Sequence, residues 1–466
     1  MDKRGGKCYG DILTSYSGKG VITNSAGNQF DCDFSAHQLV TGQVVFLVEN
    51  LDAPSIQSEL DIVAFSGIET GGSLVSVKGN IRSIRYLPKL PNSSCGVWGA
   101  YYADQLRIDH RSSDSESRIF KFGLTNLEFI GTPKRTRTRT HSNEVLLDLN
   151  GSGIPIVRLQ RTHGYNDRIS RLKTLRGRHV TAELIFPPLS SDSFPQMEQV
   201  VTDLCYILSI ASGTKVQWVY CIEMTQSRWK LATSHYSRIT KPFSPLAPID
   251  LDQSGVIKSF VEKVYPTYVK QRSAFALEKG TIDAYLDAKV ETDYLEMRGV
   301  KMAVAIEALK QTFLDIPGNQ SYELVLPEAD YASLIEDIQK EVCRVLTDHG
   351  IKKKMAKACA TEGNIIGLNR RPFRYVLLKL CKSLNLNLSP DTDLFIACRN
   401  SLVHQGRFYS KSATPTERAR LAPLPTPRDE YFLLVHVMDR IYLKLIGYSG
   451  PYTNWRKPGN EIDDAL

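Results

Sequence analysis

A change of hydrophobic period divides this chain. Before residue 131 apolar and polar residues alternate, which is the period of a strand; after Pro248 apolar residues recur every three or four positions, which is the period of a helix. Three prolines in seven residues, Pro242-Phe243-Ser244-Pro245-Leu246-Ala247-Pro248, read as a linker between the two regimes. A chain of 466 residues also exceeds what one core usually holds. The pattern therefore predicts a multidomain α+β protein.

Residues 1–131 are expected to be β-rich. Phe30, Cys32 and Phe34 alternate with polar neighbours after the turn-like Ser25-Ala26-Gly27-Asn28, and residues 44–48, 74–77 and 119–122 are further short apolar runs. Helical stretches between these runs are missing, which favours a β-sandwich or an open barrel over a parallel sheet. Lys134, Arg135, Arg137 and Arg139 then alternate with threonines. They read as a solvated basic linker, as an edge strand kept from aggregating by its charges, or as a strip that touches nucleic-acid phosphates. Residues 144–241 form an α+β segment, either a separate module or the second part of the N-terminal region. In it, strand-like residues 180–186 precede a helix whose one face carries Met197, Val200, Val201, Leu204, Ile207, Leu208 and Ala211. Gly213 closes that helix before a strand at residues 215–222.

Residues 250–466 are expected to form an all-α bundle of three to five antiparallel helices. Leu295, Met302, Ile306, Leu309 and Phe313 make one stripe, with Glu296, Val300, Ala303 and Glu307 along an adjacent one. Leu334, Ile338 and Val345 belong to the next helix, and Phe373, Val376, Leu377, Leu380 and Leu384 to another that opens at Pro372. The last helix begins with Thr426 as N-cap, Pro427 at the first position and Asp429 in a capping box. Its apolar run, residues 431–446, is broken by His436, Asp439, Arg440 and Lys444, so a core helix is expected and no membrane span. The N-terminus has Lys3, Arg4 and Lys7 but no apolar signal-peptide core. Nine cysteines, an odd number without a C-x-x-C pair, suit reduced thiols in the cytoplasm. The formal charge of +8 suits a polyanionic partner without identifying one.

The most informative segment is Arg399-Asn400-Ser401-Leu402-Val403-His404-Gln405-Gly406. On a helix Asn400 and His404 share a face, and Arg399 flanks them. Its surroundings carry a resemblance. Asn369-Arg370-Arg371-Pro372-Phe373 opens an apolar helix, and Asp393-Leu394-Phe395 leads into the motif. A second apolar helix ends in Leu445-Ile446-Gly447-Tyr448-Ser449-Gly450-Pro451-Tyr452. Over roughly the last two fifths of the chain this resembles the HEPN domain, and most closely the C-terminal HEPN domains of ApeA-like prokaryotic defence proteins. The first half is similar to those proteins in general layout only. The resemblance implies a helical ribonuclease domain with an R-x4-H catalytic motif. It also implies a homodimer whose two motif helices form one composite site, and fragments ending in 2′,3′-cyclic phosphate and 5′-hydroxyl.

Cutting RNA without a metal requires the ribose 2′-OH to lose a proton as it attacks its own phosphate. The 5′-oxygen must gain one, and the phosphorane charge must be neutralised. His404 suits either proton transfer, Arg399 can fork onto two phosphate oxygens, and Asn400 can orient the ribose hydroxyl or the imidazole. Glu307 is a candidate brace for Arg399 or His404, or a solvated carboxylate. Arg370, Arg371 and Arg374, with Lys352, Lys353 and Lys354 upstream, are candidates to line an RNA groove, or else solvated faces. Metal-ligand, nucleotide-loop and serine-hydrolase motifs are not found in the sequence, so no cofactor or metal is expected. The expected function is a metal-independent endoribonuclease of abortive-infection anti-phage defence. Its partners would be cellular RNA, tRNA among the candidates, and a phage-derived trigger, expected to be a protein, sensed by the N-terminal region. The alternative is a non-catalytic module in which the bundle binds RNA or a protein and the β domain recognises a ligand.

Overall fold

The structure, a computed structural model, describes residues 12–39, 42–51, 62–83, 97–110, 117–132, 134–135, 140–141, 143–150, 153–154, 156–175, 178–238, 241–412, 414, 416, 424–457 and 462–463. They fall into two units, residues 1–268 and 269–466.

Six antiparallel strands begin the first unit: β1 (Ile12–Asn24), β2 (Gln29–Leu39), β3 (Val44–Glu49), β4 (Ile62–Glu69), β5 (Leu74–Ser83) and β6 (Val97–Asp109). They run in the order β6-β3-β2-β1-β4-β5, and β5 pairs back onto β6 with Val75 opposite Ile108. The result is a closed barrel, which corrects the expectation of a sandwich or open barrel. The difference rests on one long-range ladder that no local pattern announces. Alternate residues fill the interior, among them Ile22, Phe34, Ala36, Phe46, Val48, Val75 and Leu106. Val45 and Leu47 point the other way and are covered with Leu39 and Ala100, which is why β3 reads as an unbroken apolar run. Gly20 of β1 opposes Gly67 of β4, and the Phe65 ring lies over the pair. A Cβ on Gly20 would stand 2.5 Å from that ring, so only glycine admits this approach.

The sheet does not stop at the barrel. The C-terminal half of β6 also pairs with a later strand, with Leu106 opposite His235. From there it continues through six more strands: β7 (Ser117–Thr125), β10 (Glu144–Leu147), β11 (Val157–Arg161), β12 (Val180–Ile185), β14 (Trp218–Met224) and β15 (Lys230–Tyr236). β8 (Lys134–Arg135) and β9 (Thr140–His141) form a separate pair, and β13 (Leu189–Ser190) adds to β7. Among the described residues, two α-helices lie in this part, α1 (Tyr165–Leu175) and α2 (Phe194–Ser212). The expected face of α2 is buried, and Gly213 ends it at a left-handed φ of 63°. Residues 144–241 thus belong to the N-terminal unit. It extends into α3 (Val256–Ala274), beyond the proline-rich segment.

The second unit is helical. It comprises α4 (Ile282–Lys289), α5 (Leu295–Asp315), α6 (Glu328–Asp348), α7 (Lys353–Cys359), α8 (Glu362–Leu368), α9 (Phe373–Ser383), α10 (Thr392–Gln405), α11 (Tyr409–Ser412) and α12 (Pro427–Leu445). β16 (Tyr452–Thr453) and β17 (Ile462–Asp463) pair near the C-terminus. α5 packs against α4, α9, α10 and α12 with Met302, Ile306, Leu309 and Phe313 inward, as its stripe predicts. The capping box at Thr426 and Asp429 is formed. One ionic group sits inside this apolar packing. Lys289 Nζ lies 2.5 Å from Asp439 Oδ1, both side chains wholly buried, and the Tyr285 hydroxyl donates to the same carboxylate. The stripe on α6 forms a helix, but Leu334 and Val345 stay exposed and Tyr331 is the buried residue of that helix. Among the described residues, no helix is long and apolar enough to cross a membrane.

Candidate active site

α10 carries the motif. It starts at Thr392, directly after Asp391, and buries Phe395, Cys398 and Leu402. It ends at Gly406, whose φ of 66° terminates the helix in the left-handed region. The chain beyond is tied down twice. Ser401 Oγ donates to Arg407 O at 2.8 Å, and the wholly buried Glu430 carboxylate accepts the Tyr409 and Ser410 amides, each at 2.8 Å. Phe408 is buried as a packing residue. The last turn of α10 therefore has a defined exit, and its position does not depend on its own solvent-facing side chains.

Arg399, Asn400 and Glu307 are brought together. Arg399 is 9% exposed; its Nη2 donates to Glu307 of α5 and its Nη1 to Asn400 Oδ1 at 2.7 Å. Its guanidinium lies 4.5 Å from the centroid of the Phe373 ring, at the start of α9. Glu307 is shared, since Lys310 Nζ stands 2.8 Å from its second oxygen. Arg399 Nε has no partner among the described residues. Asn400 is half-buried. His404, one turn further on, is exposed and makes no hydrogen bond or ion pair with any described residue. Val403, Gln405, Gly406 and Arg407 are exposed around it. The arrangement is a cation fixed at the base of a helical turn with a free imidazole at its tip.

The other candidate residues divide. Arg371 is committed inward: its Nε donates to Leu324 O at 2.7 Å and its guanidinium stacks 4.6 Å from the Tyr375 ring centroid. Arg374 pairs with exposed Asp393. Arg370 is exposed, as are Lys352, Lys353 and Lys354 at the start of α7. Arg137 and Arg139 lie outside the described residues, and so do the side chains of Lys134 and Arg135. Among the described residues, no group of three or more His, Cys, Asp or Glu has the geometry of a metal site.

Three contributors escaped the sequence reading: Phe373 under Arg399, Glu430 at the exit and Lys310 beside Glu307. Lys310 alone left a signal, since it stands three residues after Glu307 on the same helix. Comparison with models of protein families, with curated proteins and with solved structures finds no match for this chain.

Proposed function

We propose that the chain is an endoribonuclease of the HEPN type, acting without a metal ion in abortive-infection defence, with its N-terminal unit sensing the infection cue. The observation that carries this reading is the α10 arrangement. Arg399 is locked in place by Glu307, Asn400 and Phe373, while His404 stands free one turn away. A locked cation with a spare Nε–H suits charge stabilisation on a phosphorane, because its position costs no reorganisation when charge develops. A free imidazole suits proton transfer at the 2′-OH or the 5′-oxygen.

One His serves one of those two transfers. A twofold dimer with facing α10 helices supplies the second. Tyr294, just before α5, and Met297 and Val304 on α5 are 88%, 51% and 54% exposed. Together they give the helix that packs on α10 an uncovered apolar strip suited to a second copy.

The burial of Arg399 favours a second reading. A guanidinium that is 9% exposed and already paired with a carboxylate is also what a purely structural ion pair looks like, and a bundle built so would only bind RNA or a protein. Incubating the purified protein with total RNA in excess EDTA and sequencing the fragment ends separates the two. The nuclease reading expects cyclic or 3′-phosphate ends and 5′-hydroxyls, lost in His404→Ala. Intact RNA selects the non-catalytic module, and cleavage unchanged in a folded His404→Ala protein overturns the assignment of proton transfer to His404.

A further inference from the structure

The N-terminal unit contains a cavity of about 280 Å³ where β1 faces β12, β14 and β15. One wall is a chain of neutral hydrogen bonds. Gln38 Nε2 donates to Tyr236 O at 3.3 Å, so its Oε1 accepts from His235 Nδ1 at 2.9 Å. That fixes the tautomer and leaves His235 Nε2 to accept the Tyr16 hydroxyl at 2.9 Å. Thr14 in turn hydrogen-bonds Tyr16. Burial keeps the His235 ring uncharged, with its pKa lowered to about 3.

Among the described residues that line the cavity, the one carboxylate is already neutralised. Glu183 Oε1 lies 3.0 Å from Lys121 Nζ and accepts the Tyr220 hydroxyl at 3.0 Å, while Oε2 accepts Gln160 Nε2 at 2.9 Å. Two cations remain without a counter-charge. Arg168 is oriented by its Nη1 donating to Val180 O at 2.6 Å and pairs with no carboxylate among the described residues. The Lys230 side chain makes no hydrogen bond or ion pair with a described residue. Leu13, Val180 and Ile222 supply an apolar side.

From this arrangement we infer that the cavity is a binding site for a small phosphorylated metabolite, its phosphate on Arg168 and Lys230 and its uncharged part against Leu13, Val180 and Ile222. Two unpaired cations suit a dianion, and the volume lies at the low end of small-molecule pockets, which limits the ligand to about the size of a mononucleotide. The proposal does not rest on the ribonuclease reading.

Thermal unfolding of the full-length protein in inorganic phosphate, against chloride of equal ionic strength, tests it. Binding to the native state raises the midpoint, here by roughly 2–4 °C at tenfold excess over Kd. Phosphate also stabilises proteins generally, so the readout is the difference between variants. Lys230→Gln, at an exposed and unpartnered position, should lose at least half of the phosphate-specific shift without changing the midpoint in chloride. Arg168→Gln with Lys230→Gln should lose all of it, and Lys340→Gln on α6 none. AMP should compete with phosphate and adenosine should not. An equal shift in wild type and Lys230→Gln overturns the proposal, and so does a shift that Lys340→Gln reduces as much.

Discussion

At the scale of single residues, Arg399 and His404 differ in a way their spacing conceals. Both belong to one motif, yet Arg399 is buried and paired and His404 is exposed and free. Their substitutions should therefore separate. His404→Ala is expected to lower RNA cleavage by about 10²–10⁴-fold and to leave the unfolding midpoint unchanged. Arg399→Ala should abolish cleavage and also cost on the order of 1–3 kcal/mol, because Glu307 then loses its buried partner. Urea unfolding beside a cleavage assay checks both, and an Arg399→Ala protein as stable as wild type would show that the Glu307 contact contributes nothing. The motif was legible because its six residues are contiguous. Its support was only half legible, since Glu307 shows as a position on a helix stripe while Phe373 and Glu430 acquire their roles through tertiary packing alone.

At the scale of elements, the charges placed inside apolar helices determine what is sensitive. Asp439 and Lys289 join α12 to α4 as a wholly buried pair, with burial opposing the charge on both and their mutual attraction restoring it. Asp439→Asn leaves the ammonium uncompensated and should destabilise the protein by about 3–5 kcal/mol, with Lys289→Met plus Asp439→Leu milder than either single change. A second sensitivity is to acid. Burial lowers the pKa of His436 on α12 to about 4 and that of His235 on β15 to about 3, so both are neutral in the fold. In the unfolded chain they take up protons near pH 6.5. The unfolded state thus binds more protons from there down to the folded values, and stability falls with pH across that window. Each contributes a slope of at most ~1.4 kcal/mol per pH unit, and His436→Gln should flatten the profile between pH 6.5 and 4. The elements themselves were readable where a period repeats, as in β2, α2 and α5. Barrel closure was not, because β5 meets β6 through a ladder that alternation cannot encode. The α6 stripe predicted the helix correctly but not its exposure, since periodicity specifies a face and not what covers it.

At the scale of the whole molecule, the proposed mechanism requires two chains per site. Light scattering at assay concentration should report a dimer, and Val304→Glu on the uncovered strip of α5 should dissociate it and reduce cleavage together; an active monomer would leave one His404 to act alone. A chain beginning at residue 250, which keeps α3 intact, should lose any dependence on infection for its activity. Phage challenge of the full-length protein, this truncation and His404→Ala compares them directly, and protection by the truncation that still needs phage to switch on would refute sensing by the N-terminal unit. The strand β6, shared by the barrel and the sheet beyond it, bears on when each part forms. Its C-terminal half finds β15 only after Tyr236 has been synthesised, so every strand described in the N-terminal unit is made while Arg399 is still untranslated. At roughly 5–20 residues per second, the interval lasts about 8–30 s. A cell making this protein thus holds the strands of the proposed sensor before it holds the residues of the proposed active site, and on that reading a ribosome stalled in between releases nothing able to cut RNA.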